Sequence, residues 1–388
     1  MLEVNMITEM QSAKIFMNYL LRMAIDLGAD DTFIITDFAP AFKIDGQMTP
    51  QFNEKLSALQ AKYLVYSIMN DHQRTIYEQD KECNFAIALG EYGRFRVNAY
   101  LEQGKSAMVL RKINTQVPTL SDLQLPTVLS DIVMERKGLV IVVGMTGSGK
   151  STTLAAMLDH RNKNSCGHIL SIEDPIEFVH QHQKCIVSQR EIGVDTDSWH
   201  NAIKSALRQA PNVVLIGEIR DAEAMDYALQ FAETGHLCVA TIHATNTIQA
   251  IERIINLFPP EKHHQVYMNL SLNLKAIIGQ RLIPHQSGNG RVAAIEILIN
   301  TPTIADYIFN QRLAEIRDII SKSKDLGMNT FDQALFDLYE NSKISYEEAL
   351  KNADSTNDVR MRIKLDSKRS EHNKVDKMMN SKVNLQIL

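Results

Sequence analysis

Residues 139–153 read LVIVVGMTGSGKSTT. Leu139–Val143 form an apolar run, and Gly144-Met145-Thr146-Gly147-Ser148-Gly149-Lys150-Ser151 then fits the phosphate-loop pattern GxxxxGK[ST]. Each residue type has a physical reason. Glycines let the backbone wrap so that its N–H groups face phosphate oxygens, and the positive end of the helix opening near Lys150 adds to them. The Lys150 ammonium neutralises β- and γ-phosphate charge, and the Ser151 hydroxyl ligates Mg²⁺. An apolar strand, a glycine loop and a helix starting near Lys150 and running through Thr152 therefore predict a site for a nucleoside triphosphate with Mg²⁺.

Three further apolar runs, 169–172, 213–216 and 237–242, alternate with helical stretches downstream. This alternation predicts an α/β fold with a parallel sheet covered by helices. Ligands of such sheets sit at the carboxyl ends of the strands. The three runs lead into Glu173-Asp174-Pro175, into Gly217-Glu218, and into His243. Convergence of two carboxylates and an imidazole on the phosphate loop separates a hydrolysing site from a nucleotide pocket. Glu218 stands where a metal-shell carboxylate is needed, with Gly217 where an aspartate often precedes it. Glu173 is suited to orient the attacking water, and the two glutamates can exchange these roles. His243 and His236 flank one strand and are candidates to sense the γ-phosphate. Asp174, before a proline, reads as a turn former.

No cation for the transition state is evident near these motifs. Arg94, Arg96 and Arg111 lie far off in sequence, so a guanidinium from a neighbouring subunit is expected, which implies a ring with shared sites.

The bulk properties of the 388 residues are ordinary: 45% hydrophobic, 22% charged, net charge −5, pI about 6.2. No basic field favours nucleic acid or anionic lipid. The start, MLEVNMITEM, lacks a basic-then-apolar leader, and no run reaches the roughly 18 apolar residues of a membrane span. A cytosolic chain is expected. Cys83, Cys166, Cys185 and Cys238 form no CxxC pair and read as reduced, mostly buried thiols.

Before the phosphate loop the sequence reads as a small α+β module. Ala13–Leu27 has helical spacing, FIITDFAPAFKIDGQM reads as two short strands, and CNFAIALGEYGRFRVNAYL reads as a hairpin turning at 90–93. Asp221 caps a helix that stops at Gly235. After about Ala305 the chain reads as helical, with a capping box at Ser345 and Glu348. The expected organisation is residues 1–112, a linker at 113–126, a motor domain at 127–366, and a disordered tail at 367–388.

GMTGSGKSTT, SIEDPIEFV, VVLIGEIRD and TGHLCVATIHATN together resemble the secretion-superfamily ATPases of type IV pili, within which the chain is most similar to the twitching-motility retraction branch of PilT and PilU type. RNKNSCGHILSIEDPIEFVHQHQ and the long stretch after ALKNADSTNDVRMRIKL lie nearest the PilU side. The resemblance implies a PAS-like N-terminal domain, a RecA-like motor domain and a hexameric ring at the cytoplasmic face of the inner membrane. It also implies ATP-driven pilus disassembly through a polytopic platform protein. It places the nucleotide contacts on Gly144–Ser151, the acidic-box glutamate on Glu173, the Walker-B glutamate on Glu218, and the histidine pair on His236 and His243. It places the trans arginines on Arg96 and Arg111. Two departures matter. AEIRDIISK stands where PilT-type members carry an AIRNLIRE-type stretch, which points to dependence on PilT as a partner. Met145 replaces a common proline outside the phosphate grip.

The alternative is an accessory ATP-binding subunit of a PilT retraction complex that has little need of its own hydrolysis. A GTP switch is disfavoured, because Asn162-Lys163-Asn164-Ser165 lacks the aspartate that reads guanine. A nucleic-acid translocase gains nothing from the charge balance.

Overall fold

The computed structural model describes residues 3–44, 46–90, 93–113, 116–288 and 290–369. The expected tail lies outside the described residues from 370 onward. The chain divides into two compact units. The first comprises Met1–Gln116, Pro175–Val179 and Glu191–Asp197; the second comprises Val117–Asp174, His180–Arg190 and Ser198–Leu388.

In the first unit the elements run α1 (Met10–Asp26), β1 (Asp31–Ile34), β2 (Ala41–Ile44), β3 (Gln47–Pro50), α2 (Ala58–Ser67), α3 (Asp71–Asp80), β4 (Glu82–Ala88), β5 (Arg94–Glu102) and β6 (Lys105–Ile113). The strands form an antiparallel sheet in the order β3-β2-β1-β6-β5-β4. Phe95, Val97 and Ala99 alternate inward along β5 and join Phe16, Leu20 and Leu64 of the helices in one apolar core. The β4–β5 hairpin and the β1–β2 pair match the sequence reading. β3 and β6 follow turns at Gly46 and Gly104, both at positive φ, and complete the sheet by antiparallel pairing.

The second unit runs α4 (Val128–Met134), β7 (Gly138–Val143), α5 (Lys150–Asn164), β8 (Gly167–Glu173), β9 (Cys185–Glu191), α6 (Trp199–Ala206), β10 (Val213–Ile216), α7 (Ala222–Glu233), β11 (Leu237–Ile242), α8 (Thr247–Asn256), α9 (His263–Asn273), β12 (Leu274–Pro284) and β13 (Arg291–Ile299). The helices α10 (Pro302–Phe309), α11 (Leu313–Lys322), α12 (Phe331–Glu340), α13 (Tyr346–Lys351) and α14 (Thr356–Asp366) follow. The sheet order is β13-β12-β7-β11-β10-β8-β9. β8, β10, β11, β7 and β12 are mutually parallel, and β13 returns antiparallel along β12. β7 and β11 are buried at every position, as strands covered on both faces must be. This is the parallel α/β sheet that the alternation predicted, of the RecA-like kind that the resemblance implied. The strands β9, β12 and β13 enlarge it beyond the four read from sequence.

Local signals act as their chemistry requires. Asp221 accepts from the Ala224 N–H at 2.8 Å to start α7, and Gly235 follows that helix at φ +104. Ser345 accepts from the Glu348 N–H, but the Glu348 carboxylate meets Asn352 and Lys351, so the expected capping box closes on one side only. Leu120, Leu123 and Leu125, within the segment read as a linker, pack on the core of the second unit. Cys83, Cys185 and Cys238 are buried, Cys166 is exposed, and all four are free thiols.

Candidate active site

The sheet register decides which side chains meet. Val143 pairs with Ile242, and Ile216 pairs with Ala240 on one side and Ile172 on the other. The residues that follow those strand ends therefore line one crest in the order phosphate loop, His243, Glu218, Glu173. At its far end Gly217 N–H donates to the Ile172 carbonyl at 2.8 Å.

The phosphate loop is wound by Gly144, Gly147 and Gly149, with φ of +155, +76 and +85. Two of these positions have no room for a side chain. A methyl group at Gly144 would collide with the Ser148 hydroxyl and the Gln280 carbonyl, and one at Gly149 would lie 2.8 Å from Gln280 Nε2. Lys150 Nζ donates to the carbonyls of Gly144 and Met145 at 2.9 and 3.0 Å, folding over its own loop. Ser151 and Thr152, in the first turn of α5, are half-buried, whereas Met145 and Thr146 are exposed. Ser148 Oγ is buried without a hydrogen-bond partner. An orphaned hydroxyl among positive-φ glycines at a helix start fits a phosphate ligand that completes its bonding.

Glu218 is the hub of the crest. One carboxylate oxygen lies 2.9 Å from His243 Nε2 and the other takes Arg220 Nε at 2.8 Å. Its side chain is about one-fifth exposed, at 21%. Thr241 Oγ donates to the Gly217 carbonyl at 2.5 Å and holds the strand end that carries Glu218. Gly217 has a steric reason to lack a side chain: a methyl there would sit 3.2 Å from the Ile172 carbonyl oxygen, 3.3 Å from Glu173 Cα and 3.4 Å from the Trp199 ring. The position where an aspartate often stands is therefore filled by the end of β8. Glu173, half-buried, accepts from Gln189 Nε2 at 3.3 Å, and Gln189 Oε1 accepts from the His180 N–H at 2.8 Å.

Several expectations need correction. His236 does not join the crest. It precedes β11 at the opposite end, roughly 20 Å away at about 3.3 Å per strand residue. Its Nδ1 lies near Thr234 Oγ at 3.1 Å and the Phe231 carbonyl at 3.2 Å, so it closes the turn from α7 into β11. The subunit does carry a cation at the crest, Arg220, bound to Glu218. The signal was present in GEIRD, where residues 218 and 220 of an extended segment share a side. Arg111 already has a partner in its own unit: Asp31, 4% exposed, accepts from its Nε at 2.7 Å and from its Nη2 at 3.3 Å. Arg96 is the cross-strand neighbour of Arg111. The carboxylates of Glu191 and Glu177, on the two short segments that join this unit, act on these arginines.

Gln280 and Gln189 escaped the sequence reading. Gln280 is buried on β12, where its Oε1 accepts from the Thr153 hydroxyl at 2.7 Å and its main chain abuts Gly144. Neither lies in a pattern that marks it: Gln280 acts on α5, far off in sequence, and Gln189 acts on the end of β8. Among the described residues no cluster of three or more His, Cys, Asp or Glu side chains suits a metal ion. A divalent ion here would need phosphate oxygens beside Ser151 and Glu218, the donor set that Mg²⁺ favours.

Backbone that grips phosphate at one strand end, with carboxylates two and three strands away, defines the class: a P-loop ATPase built on a RecA-like sheet. The chain belongs to the family described as Type II/IV secretion system protein, whose profile matches residues 7–334. It is 52% identical to the type IV pilus ATPase PilU of Pseudomonas aeruginosa, over 90% of this chain and 91% of that one. It is 41% identical to the type IV pilus retraction ATPase PilT of the same species, over 86% and 97% of the two chains. A crystal structure of the pilus retraction motor PilT with bound ADP superposes with a TM-score of 0.83 at 36% identity, covering 89% of this chain and 98% of that one.

Proposed function

We propose that this chain is an ATPase of type IV pilus retraction, the ATP-hydrolysing subunit of a hexameric motor that powers or assists twitching motility together with PilT. The observation that carries the reading is the carboxylate hub: Glu218 meets His243 at 2.9 Å on the same crest as the phosphate loop. Family membership and the likeness to PilU and PilT support the load.

Gly144–Thr152 bind the phosphates through backbone N–H groups and the α5 N-terminus. Lys150 turns from its own loop carbonyls to the β- and γ-phosphates. Ser151 and Glu218 hold Mg²⁺, which when bound offsets negative charge on the phosphate oxygens. Glu173, held by Gln189, orients the attacking water and accepts its proton. His243 reports occupancy of the γ-position to Glu218, and Arg220 balances the carboxylate charge. Arg96 and Arg111 serve a neighbouring subunit's site, which requires Arg111 to release Asp31. The PAS-like portion is residues 1–112, the linker 113–126 and the motor 127–366. The ring stands at the cytoplasmic face of the inner membrane against the pilus platform protein, and no helix among the described residues is long and apolar enough to cross a membrane.

Replacing Glu218 by Ala should leave nucleotide binding measurable and abolish turnover; turnover at the parental rate would defeat the assignment. Lys150→Ala, tested for retraction with PilT present and absent, separates a motor from an accessory subunit. Parental retraction by that variant would remove the motor role.

A further inference from the structure

The loop that carries His243 is held from behind by groups that no phosphate-site argument uses. It spans residues 243–246, and Asn246 caps α8 through the Gln249 N–H at 2.8 Å. The next residue, Thr247, donates its N–H to Glu296 Oε2 at 2.7 Å, and Glu296 is 3% exposed on β13. Beside it on β12 stands Arg281. Its Nη2 donates to the Thr245 carbonyl at 3.4 Å and to Asp354 Oδ1 at 2.7 Å, and its Nη1 donates to the Asn352 carbonyl at 2.8 Å. The guanidinium lies 3.9 Å from the centroid of the Phe331 ring.

Asn352 and Asp354 form the turn between α13 and α14, and this turn is itself tied to the other C-terminal helices. Asp332 of α12 accepts the N–H of Asp354 at 2.8 Å and of Ser355 at 3.2 Å, and takes Arg317 of α11 at 2.7 Å. Gly279 makes the arrangement possible, because a methyl there would lie 3.0 Å from Phe331 Cζ and 3.3 Å from Glu296 Oε2. A continuous set of polar contacts thus runs from α11, the helix of AEIRDIISK, to a carbonyl two residues beyond His243.

A brace that only packed helices together would not reach Thr245. A single nitrogen of Arg281 serves both the helical turn and the loop. A guanidinium is planar with a fixed fork, so it cannot keep one partner in place while the other swings. We propose that Arg281 is a positioning residue for ATP hydrolysis: by clasping the α13–α14 turn and the Thr245 carbonyl together, it makes the placement of the His243 loop depend on the C-terminal helices. The inference rests on the reading of His243 as part of the hydrolytic site.

The test uses the full chain, with steady-state ATPase rates normalised to the folded fraction. Arg281→Lys keeps the charge and loses the fork, while Asp354→Asn loses the carboxylate that anchors it. Each should lower kcat roughly 3- to 30-fold, the span of measured coupling effects, and leave the KM for ATP within about twofold. The double variant should be no worse than Arg281→Lys alone, because the two act as one unit. Parental kcat in Arg281→Lys, or single losses that multiply in the double variant, overturns the proposal. His243→Ala is the control arm. If it lowers kcat while Arg281→Lys does not, this inference fails alone. If it retains parental kcat, the site reading fails and takes the inference with it.

Discussion

Two histidines stand at the two ends of β11 and show what a parallel sheet does with identical chemistry. His236, before the strand, has an imidazole nitrogen beside Thr234 and the Phe231 carbonyl and its ring edge-on to Phe231 at 5.9 Å. All of these partners lie within five residues of it in sequence. His243, after the strand, meets Glu218 from the end of the neighbouring β10, a partner brought in by the sheet. The amino end of the sheet is closed by local turns. Its carboxyl end gathers residues from four separate crossovers, because each parallel connection returns its loop to the same side. A residue's end of the strand therefore decides its role more than its type does.

This contrast can be broken by experiment. The largest effect belongs to the hub of the carboxyl end: Glu218→Gln should lower kcat roughly 10²- to 10³-fold, the usual result of removing a preorganised charge at a reacting phosphate, with ATP affinity changed little. Equilibrium binding of a fluorescent nucleotide beside steady-state rates checks it. Next, His243→Ala should cost about 10²-fold in kcat, whereas His236→Ala should stay within about threefold and show its effect in melting temperature. Equal losses from the two would end the distinction between the sheet's ends. Thermal unfolding should place the stability cost of His236→Ala near 0.5–1.5 kcal/mol, since it removes a local hydrogen bond and a ring contact.

Gly217→Asp restores the residue many phosphate-loop enzymes carry and should still be harmful here. Its side chain would be driven into the Ile172 carbonyl and Glu173 backbone, at about 1–3 kcal/mol of overpacking, with turnover falling as Glu173 is displaced. Gain of activity in this variant would show that the end of β8 yields.

A test that leaves turnover aside concerns the buried carboxyl behind the His243 loop. Burial pushes the Glu296 carboxyl from 4.5 up to about 7, against the opposing pull of the Thr247 N–H and Arg281. The unfolded chain loses this proton first, near 4.5, so the folded state is penalised as pH rises above that value, and the penalty is complete above about 7. At roughly 1.4 kcal/mol for each pH unit it reaches about 3 kcal/mol. Glu296→Gln keeps an acceptor for Thr247 and avoids the buried charge. Its melting temperature relative to the parent should therefore climb between pH 5 and pH 8, and a difference that stays flat or falls would contradict the assignment.

The legibility of the molecule followed the reach of each interaction. The phosphate loop could be read outright, because its glycines, lysine and serine act through backbone that is contiguous in sequence. The four parallel strands around it could be read as well, since burial on both faces makes each a largely apolar run, broken only by Ser171 and Thr241 within the stretches 139–143, 169–172, 213–216 and 237–242. β12 was not legible: LKAIIGQRLIP follows α9 without a break, and its apolar residues suit helix or strand equally until it pairs with β7. Gln280 shared that fate, although its side chain and carbonyl brace the phosphate loop. Arg220 is within reach of a period-of-two reading, since it stands two residues from Glu218 in an extended segment.

The sequence by itself determined that the chain binds a nucleotide, that a parallel sheet supports the site, and that two glutamates and a histidine end the right strands. Each of those facts is written in short-range patterns of burial and backbone freedom. Only the tertiary structure decided that His243 rather than His236 reaches Glu218 and that Arg281 links Thr245 to Asp354. Those choices depend on strand order and register, which are settled by the packing of surfaces distant in sequence and leave no local trace.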